Sequence, residues 1–212
     1  SGDKKDEIVR KNREIFLKKI GVDPSDVVSA SLVHGARIVW AGRKDRGKAV
    51  SGADGLLTKE KDIFLSVTIA DCLPVFLFDK KGKVVGLIHA GWRGISQHIL
   101  RKAVREMQDG PRNNIIARIG PGICPRHFEI KEDALKKLSD YSECVIRERG
   151  RIFFDLKRAA RNDLKDAGIA ESNINTDKEC TFCLRDKYFS FRREKGEIKA
   201  MMAVMGFKQR SS

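Results

Sequence analysis

Histidine is scarce in this chain, with four in 212 residues, so each one has to be accounted for. No apolar run is long enough to span a bilayer, which leaves no expected membrane helix. The opening stretch, SGDKKDEIVRKNREIF, is charged and lacks the apolar core of a secretion signal. The five cysteines are an odd number and come without such a signal, so a disulfide scaffold is not expected. Reduced thiols in a cytoplasmic protein fit better, some of them ligands or catalytic groups. There are no internal repeats and no low-complexity segments. No basic helix carries interleaved aromatics, which argues against nucleic acid as the partner.

Basic residues, by contrast, are abundant. Lys and Arg number 43 against 29 Asp and Glu, a net charge of +14. That balance favours anionic partners such as phosphate or nucleotides, or simply a solvated basic surface, because the cations are scattered. The length suits one domain with a real core. Residues 5–20 have the spacing of an amphipathic helix, with Ile8, Val9, Ile15, Phe16 and Ile20 as its stripe. VVSASLV (27–33), RIVWA (37–41), FLSVTIA (64–70), LPVFLFD (73–79), VVGLIHA (84–90) and NIIARIG (114–120) predict strands. GRKDRGKAVSG (42–52) predicts a loop, and GISQHILRKAVREMQD (94–109) one helix. Asp155 is placed to cap LKRAARNDLKDAG, which closes on Gly168. YFSFRRE and IKAMMAVMGF predict two final strands. The mixture implies a single α/β domain with a mixed sheet.

Asp71 and Cys72 interrupt the apolar stretch between two of these strands. A carboxylate and a thiol there are costly to bury without partners. His34 follows a strand in LVHG, and His89 ends one in LIHAGW. Strand ends followed by glycine hold a side chain rigidly and leave it accessible. His34, Cys72 and His89 make a three-ligand set with one open position, which suits catalytic zinc. The same residues allow a nucleophilic Cys72 with His89 as base and Asp71 or another polar group as orienter. Hydrogen-bonded structural histidines are the plainer alternative for His34 and His89. His98 falls at the polar edge of its helix, as a surface residue. CTFC (180–183) is half a zinc site, or a redox motif if it opens a helix after a strand; it leads into an expected strand and no second CxxC exists, which favours a structural role. Cys124 and His127 follow a Gly-Pro-Gly turn whose N–H groups could meet an anion. Arg93 is a candidate clamp for phosphate or carboxylate, or a structural ion pair.

LVHGARIV, ADGLLT, TIADCLPVFLFD, GLIHAGWRG, ARIGPGICPRHFEI, FDLKRAARNDLKDAGI and CTFCLRDKYFSFRREKG occur in this order. Together they resemble the laccase-domain (polyphenol oxidase) family, which includes purine nucleoside phosphorylases and the bacterial peptidoglycan editing factor. The resemblance runs from about residue 5 to 207. It implies a layered α/β/α domain with a mixed sheet, similar to the catalytic domain of cytotoxic necrotizing factors. It implies one such domain over residues 3–212, starting in the helix after the family's Gly-Gly-x-Ser strand segment. The family's usual glutamine before Val-His-Gly is replaced by Leu32.

The resemblance also implies zinc on His34, Cys72 and His89, with Asp71 and Arg93 lining the pocket. The implied activity is phosphorolysis of adenosine, inosine and methylthioadenosine, with adenosine deaminase activity beside it. Zinc would activate water for deamination. For phosphorolysis, Arg93 would gather phosphate, and Asp71 as an acid would protonate the leaving purine. Two other functions are open: a Cys-His hydrolase or amidase editing a peptidoglycan precursor, and a basic RNA-binding module with a vestigial site. Multicopper oxidation is not expected, because a blue-copper site and a coupled copper cluster are built largely from histidines. A single bound copper is compatible with the count.

Overall fold

The structure is a computed structural model that describes residues 2–107, 114–195 and 199–208. Six strands form the central sheet: β2 (Ile38–Trp40), β4 (Gly55–Thr58), β6 (Leu73–Asp79), β7 (Val84–Ala90), β8 (Ile115–Ile119) and β12 (Ile174–Thr176). Their spatial order is β12-β8-β6-β7-β4-β2. The outer pairs β12/β8 and β4/β2 are parallel, and the inner pairs are antiparallel. A four-stranded sheet contains β1 (Val27–Ser31), β3 (Ala49–Ser51), β5 (Phe64–Ile69) and β13 (Met201–Gly206), in the order β13-β5-β1-β3. A small antiparallel sheet joins β9 (Glu129–Ile130), β10 (Val145–Glu148) and β11 (Arg151–Phe154).

Period-two alternation decides which face each residue serves. On β7, Val84 and Ile88 enter one core cluster and Val85 and Leu87 the other. The first cluster packs the central sheet against α2 (Trp92–Ser96), α3 (Ile99–Glu106), α4 (Glu132–Lys137) and α5 (Leu156–Asp166), through Ile95, Ile99, Val104, Ala134, Ala160 and Leu164. The second lies between the two large sheets and includes Val28, Leu56, Leu65, Val67 and Leu87. Helix α1 (Gly2–Lys19) reaches the opposite face of the four-stranded sheet, where Leu17 and Val22 meet Val27 and Phe64. Helices thus flank a two-sheet interior, and the expected mixed α/β architecture holds. No described helix is long and apolar enough to cross a membrane.

Five local expectations are corrected. The stripe assigned to the first helix, Ile8, Val9, Ile15, Phe16 and Ile20, is exposed, because the helix buries Leu17 instead. The 42–52 loop contains β3, which pairs in parallel with β1. The helix expected over 94–109 is two helices, α2 and α3, divided at His98 with φ 56°. Residues 108 and 109 lie outside the described residues. The ring of His98 explains the break and is no plain surface group: its Nδ1 sits 2.8 Å from the Tyr141 hydroxyl. Tyr141 in turn donates to Asp163, which also accepts from Arg101 Nε at 2.7 Å. YFSFRRE is not a strand, because its polar groups turn inward to Asp71 instead of a neighbouring ladder. The cap at Asp155 is as expected, accepting from the Arg158 N–H at 3.0 Å.

Candidate metal centre

His89 is the penultimate residue of β7, a strand buried along its whole length. Cys72 immediately precedes β6, and the β6/β7 register pairs Leu73 with Ala90 and Pro74 with His89. That register sets Cys72 beside the β7 exit. His34 arrives from the turn after β1, with φ 58°. The three ligand atoms all lie within 4.8 Å of one another. The two imidazoles stand edge to face, centroids 4.9 Å apart. His89 is buried, Cys72 half-buried and His34 exposed, so the group opens to solvent on one side. Gly91 leaves room for the thiol where it stands: a Cβ there would come 2.8 Å from Cys72 Sγ, which would have to move.

Asp54 holds this arrangement and is fully buried at the start of β4. Its Oδ1 accepts the His34 N–H at 2.8 Å, and its Oδ2 accepts the Gly35 N–H at 2.7 Å. These bonds fix the left-handed turn at His34. The Asp54 carbonyl accepts the His89 N–H at 2.7 Å. Its Oδ1 also lies 3.4 Å from His89 Nδ1, a charge contact in which that buried nitrogen makes no well-formed hydrogen bond. Burial works against a charged His89, yet Asp54 and Cys72 outweigh it and push the pKa up to about 9. Burial lowers His34, helped by the charge of His89 and of Arg93 and opposed by Asp54. Sequence reasoning missed Asp54. Its one signal was an acid set directly before the apolar run GLLT.

Asp71 is beside the centre in sequence but serves a different purpose in space. It is buried with φ 84°. Its Oδ1 accepts from Thr181 Oγ1 at 2.6 Å, and its Oδ2 accepts from Ser190 Oγ at 3.0 Å and the Arg192 N–H at 2.7 Å. Both oxygens are engaged, and all three donors come from the segment after β12. Arg93, exposed on α2, lies over the Trp92 ring at 4.6 Å. Trp92 also borders a cleft of about 380 Å³, lined by Phe128, Glu129, Asp133 and Arg192. The Gly-Pro-Gly turn is not an anion cradle. Its following N–H groups are spent internally, Ile123 N–H on the Asp71 carbonyl at 3.0 Å and Cys124 N–H on Cys180 Sγ at 3.2 Å.

Residues 1–208 match the family model described as multi-copper polyphenol oxidoreductase laccase. The chain belongs to this family. Within it, the chain is 31% identical over 220 residues to purine nucleoside phosphorylase YlmD of Bacillus subtilis, covering 97% of this chain and 79% of that one. It is 33% identical over 196 residues to adenosine deaminase RL5 of an unknown prokaryotic organism, covering 85% and 75%. The solved structure of YlmD from Geobacillus stearothermophilus superposes with a TM-score of 0.89 at 30% identity, over 93% of this chain and 79% of that one. These relatives support an enzyme of purine nucleosides. The family's multi-copper description is not matched by the groups that could hold a metal here. Of the four histidines, only His34 and His89 meet, and they do so with a thiol.

Proposed function

We propose that this chain is a zinc-dependent purine nucleoside phosphorylase acting on adenosine, inosine and methylthioadenosine, with adenosine deaminase activity beside it. The observation that carries the reading is the meeting of His34, Cys72 and His89 at strand ends, with ligand atoms within 4.8 Å and one side open. Two imidazoles and one thiol with a fourth position free suit a catalytic zinc. With Nδ1 of His89 turned to Asp54, Nε2 is the nitrogen left to bind. When bound, zinc supplies a Lewis acid at the open position.

The protein's own groups do the rest. Asp54 fixes both histidines. Arg93, held over Trp92 and exposed, meets the phosphate as an anion clamp. Trp92 and Phe128 offer apolar ring surface for a purine in the cleft they border, with Arg192 at 5.6 Å over Phe128. Asp71 acts as a positioning residue that holds the Cys72 corner to the C-terminal segment, in place of the proton donor first expected.

The test is hypoxanthine release from inosine with and without phosphate, on metal-quantified protein. The reading expects phosphate-dependent release that Cys72→Ala abolishes. Release that is indifferent to phosphate, or full turnover and full metal content in Cys72→Ala, would overturn it.

One observation favours a second reading. Cys72, His89 and Asp54 also follow the order of nucleophile, base and orienter, as in a hydrolase of a peptidoglycan precursor. A free activated Cys72 reacts rapidly with iodoacetamide, whereas a zinc-held one is protected. Zinc-dependent protection supports the phosphorylase reading.

A further inference from the structure

The chain contains a second place where metal-ligating side chains converge, far from the first in sequence and built from different elements. Cys124 and His127 belong to the corner after β8. Cys180 and Cys183 belong to the loop after β12. Their ligand atoms again lie within 4.8 Å of one another. His127 Nδ1 is 3.2 Å from Cys124 Sγ and 3.4 Å from Cys183 Sγ. The sulfurs of Cys124 and Cys183 are 4.0 Å apart. A tetrahedral zinc with Zn–S near 2.3 Å requires sulfur separations of about 3.8 Å. All five cysteines of the chain are free, so these thiols are not committed to disulfides.

We propose that Cys124, His127, Cys180 and Cys183 form a second, structural zinc site, closed by four protein ligands. Its two halves are a Cys-x2-His and a Cys-x2-Cys, the spacing that lets each short turn present two ligands to one ion. The CxxC alone was half a site, and its partner is a CxxH rather than another CxxC. The surroundings suit a charged cluster. The Cys180 sulfur accepts the Cys124 N–H. His127 is stacked on Phe182, centroids 4.1 Å apart, which fixes the plane of its ring. Lys157 donates to the carbonyls of Asp177 and Glu179 at 2.8 and 2.6 Å and lies near enough to Cys180 and Cys124 to feel their charge. That ammonium offsets part of the excess negative charge of three thiolates around a divalent ion.

The site ties the loop after β12 to the corner after β8. Thr181, between the two CxxC cysteines, is one of the three residues that donate to Asp71. A metal here therefore fastens the segment that grips Asp71, next to Cys72. It supplies no open position and takes no part in turnover.

The test is zinc content of the purified full chain. Wild type is expected to hold two zinc ions. His34→Ala is expected to hold one, and Cys183→Ser one, the latter with a lower Tm. Combining the two substitutions is expected to leave none. Cobalt loaded into His34→Ala should show the strong thiolate-to-cobalt absorption of a three-sulfur site. His34→Ala without zinc, Cys183→Ser retaining two, or a mass 2 Da low from a disulfide among these cysteines would overturn the proposal. The His34→Ala result reads the second site even if Cys183→Ser fails to fold. Because the readout is metal content, failure of the phosphorylase reading leaves it intact.

Discussion

The Asp54 carboxylate lies 3.4 Å from His89 Nδ1 with both groups buried, while the same carboxylate takes the His34 N–H at 2.8 Å. One side chain thus sets the orientation of two candidate ligands that arrive from different strands. Partners of this kind fix ligand geometry and are worth about 10–100-fold in metal affinity. Asp54→Asn keeps the size and loses the charge. Its zinc affinity should fall by about 10–100-fold in a competitive chelator titration. Unchanged affinity would show that Asp54 serves the turn alone.

Gly91 leaves room for the Cys72 sulfur. In Gly91→Ala, the new Cβ meets Sγ at 2.8 Å, closer than real contacts of that kind. Overpacking of a buried site costs about 1–3 kcal/mol. The expected result is a lower Tm together with loss of zinc from the first site, measured by calorimetry and elemental analysis.

Asp71 gathers donors from Thr181, Ser190 and Arg192. Asp71→Ala leaves buried donors without an acceptor, at about 1–3 kcal/mol. Asp71→Asn separates positioning from proton donation. As a positioning residue, its replacement should lower Tm and leave the shape of the pH–rate profile unchanged. Loss of one limb of that profile would make Asp71 the acid.

Asp163 is fully buried and accepts from Arg101 Nε at 2.7 Å and from the Tyr141 hydroxyl at 2.8 Å. Asp163→Ala removes the buried acceptor that ties Arg101 of α3 to α5, while Arg101 keeps Asp166 and the Tyr141 hydroxyl keeps the Ile95 carbonyl, so the loss is that of a charge-assisted hydrogen bond, about 1.5–3 kcal/mol. Denaturant unfolding should show that loss, with zinc content of the folded protein retained.

Much of this was legible because strands announce themselves. LPVFLFD and VVGLIHA are apolar runs whose polar interruptions, Cys72 and His89, fall where the antiparallel register ends at the site. His34 was legible from its glycine-flanked turn. Asp54 was not, since an acid before a strand reads as a surface turn until its three acceptor contacts are known. His98 broke a periodic helix through a left-handed backbone that periodicity does not encode. YFSFRRE alternated like a strand, but its hydrogen bonds go to Asp71, a partner 119 residues away from Ser190. The second cysteine cluster was visible only in halves, because Cys124 and Cys180 are 56 residues apart.

The measurement that tests the central claim most directly is inosine phosphorolysis on zinc-stripped protein, with zinc added back in steps. Phosphate-dependent hypoxanthine release should return in wild type, and should stay absent in His34→Ala and Cys72→Ala at every zinc level. Release from stripped protein, or zinc-restored release in His34→Ala or Cys72→Ala, would contradict a catalytic metal at His34, Cys72 and His89.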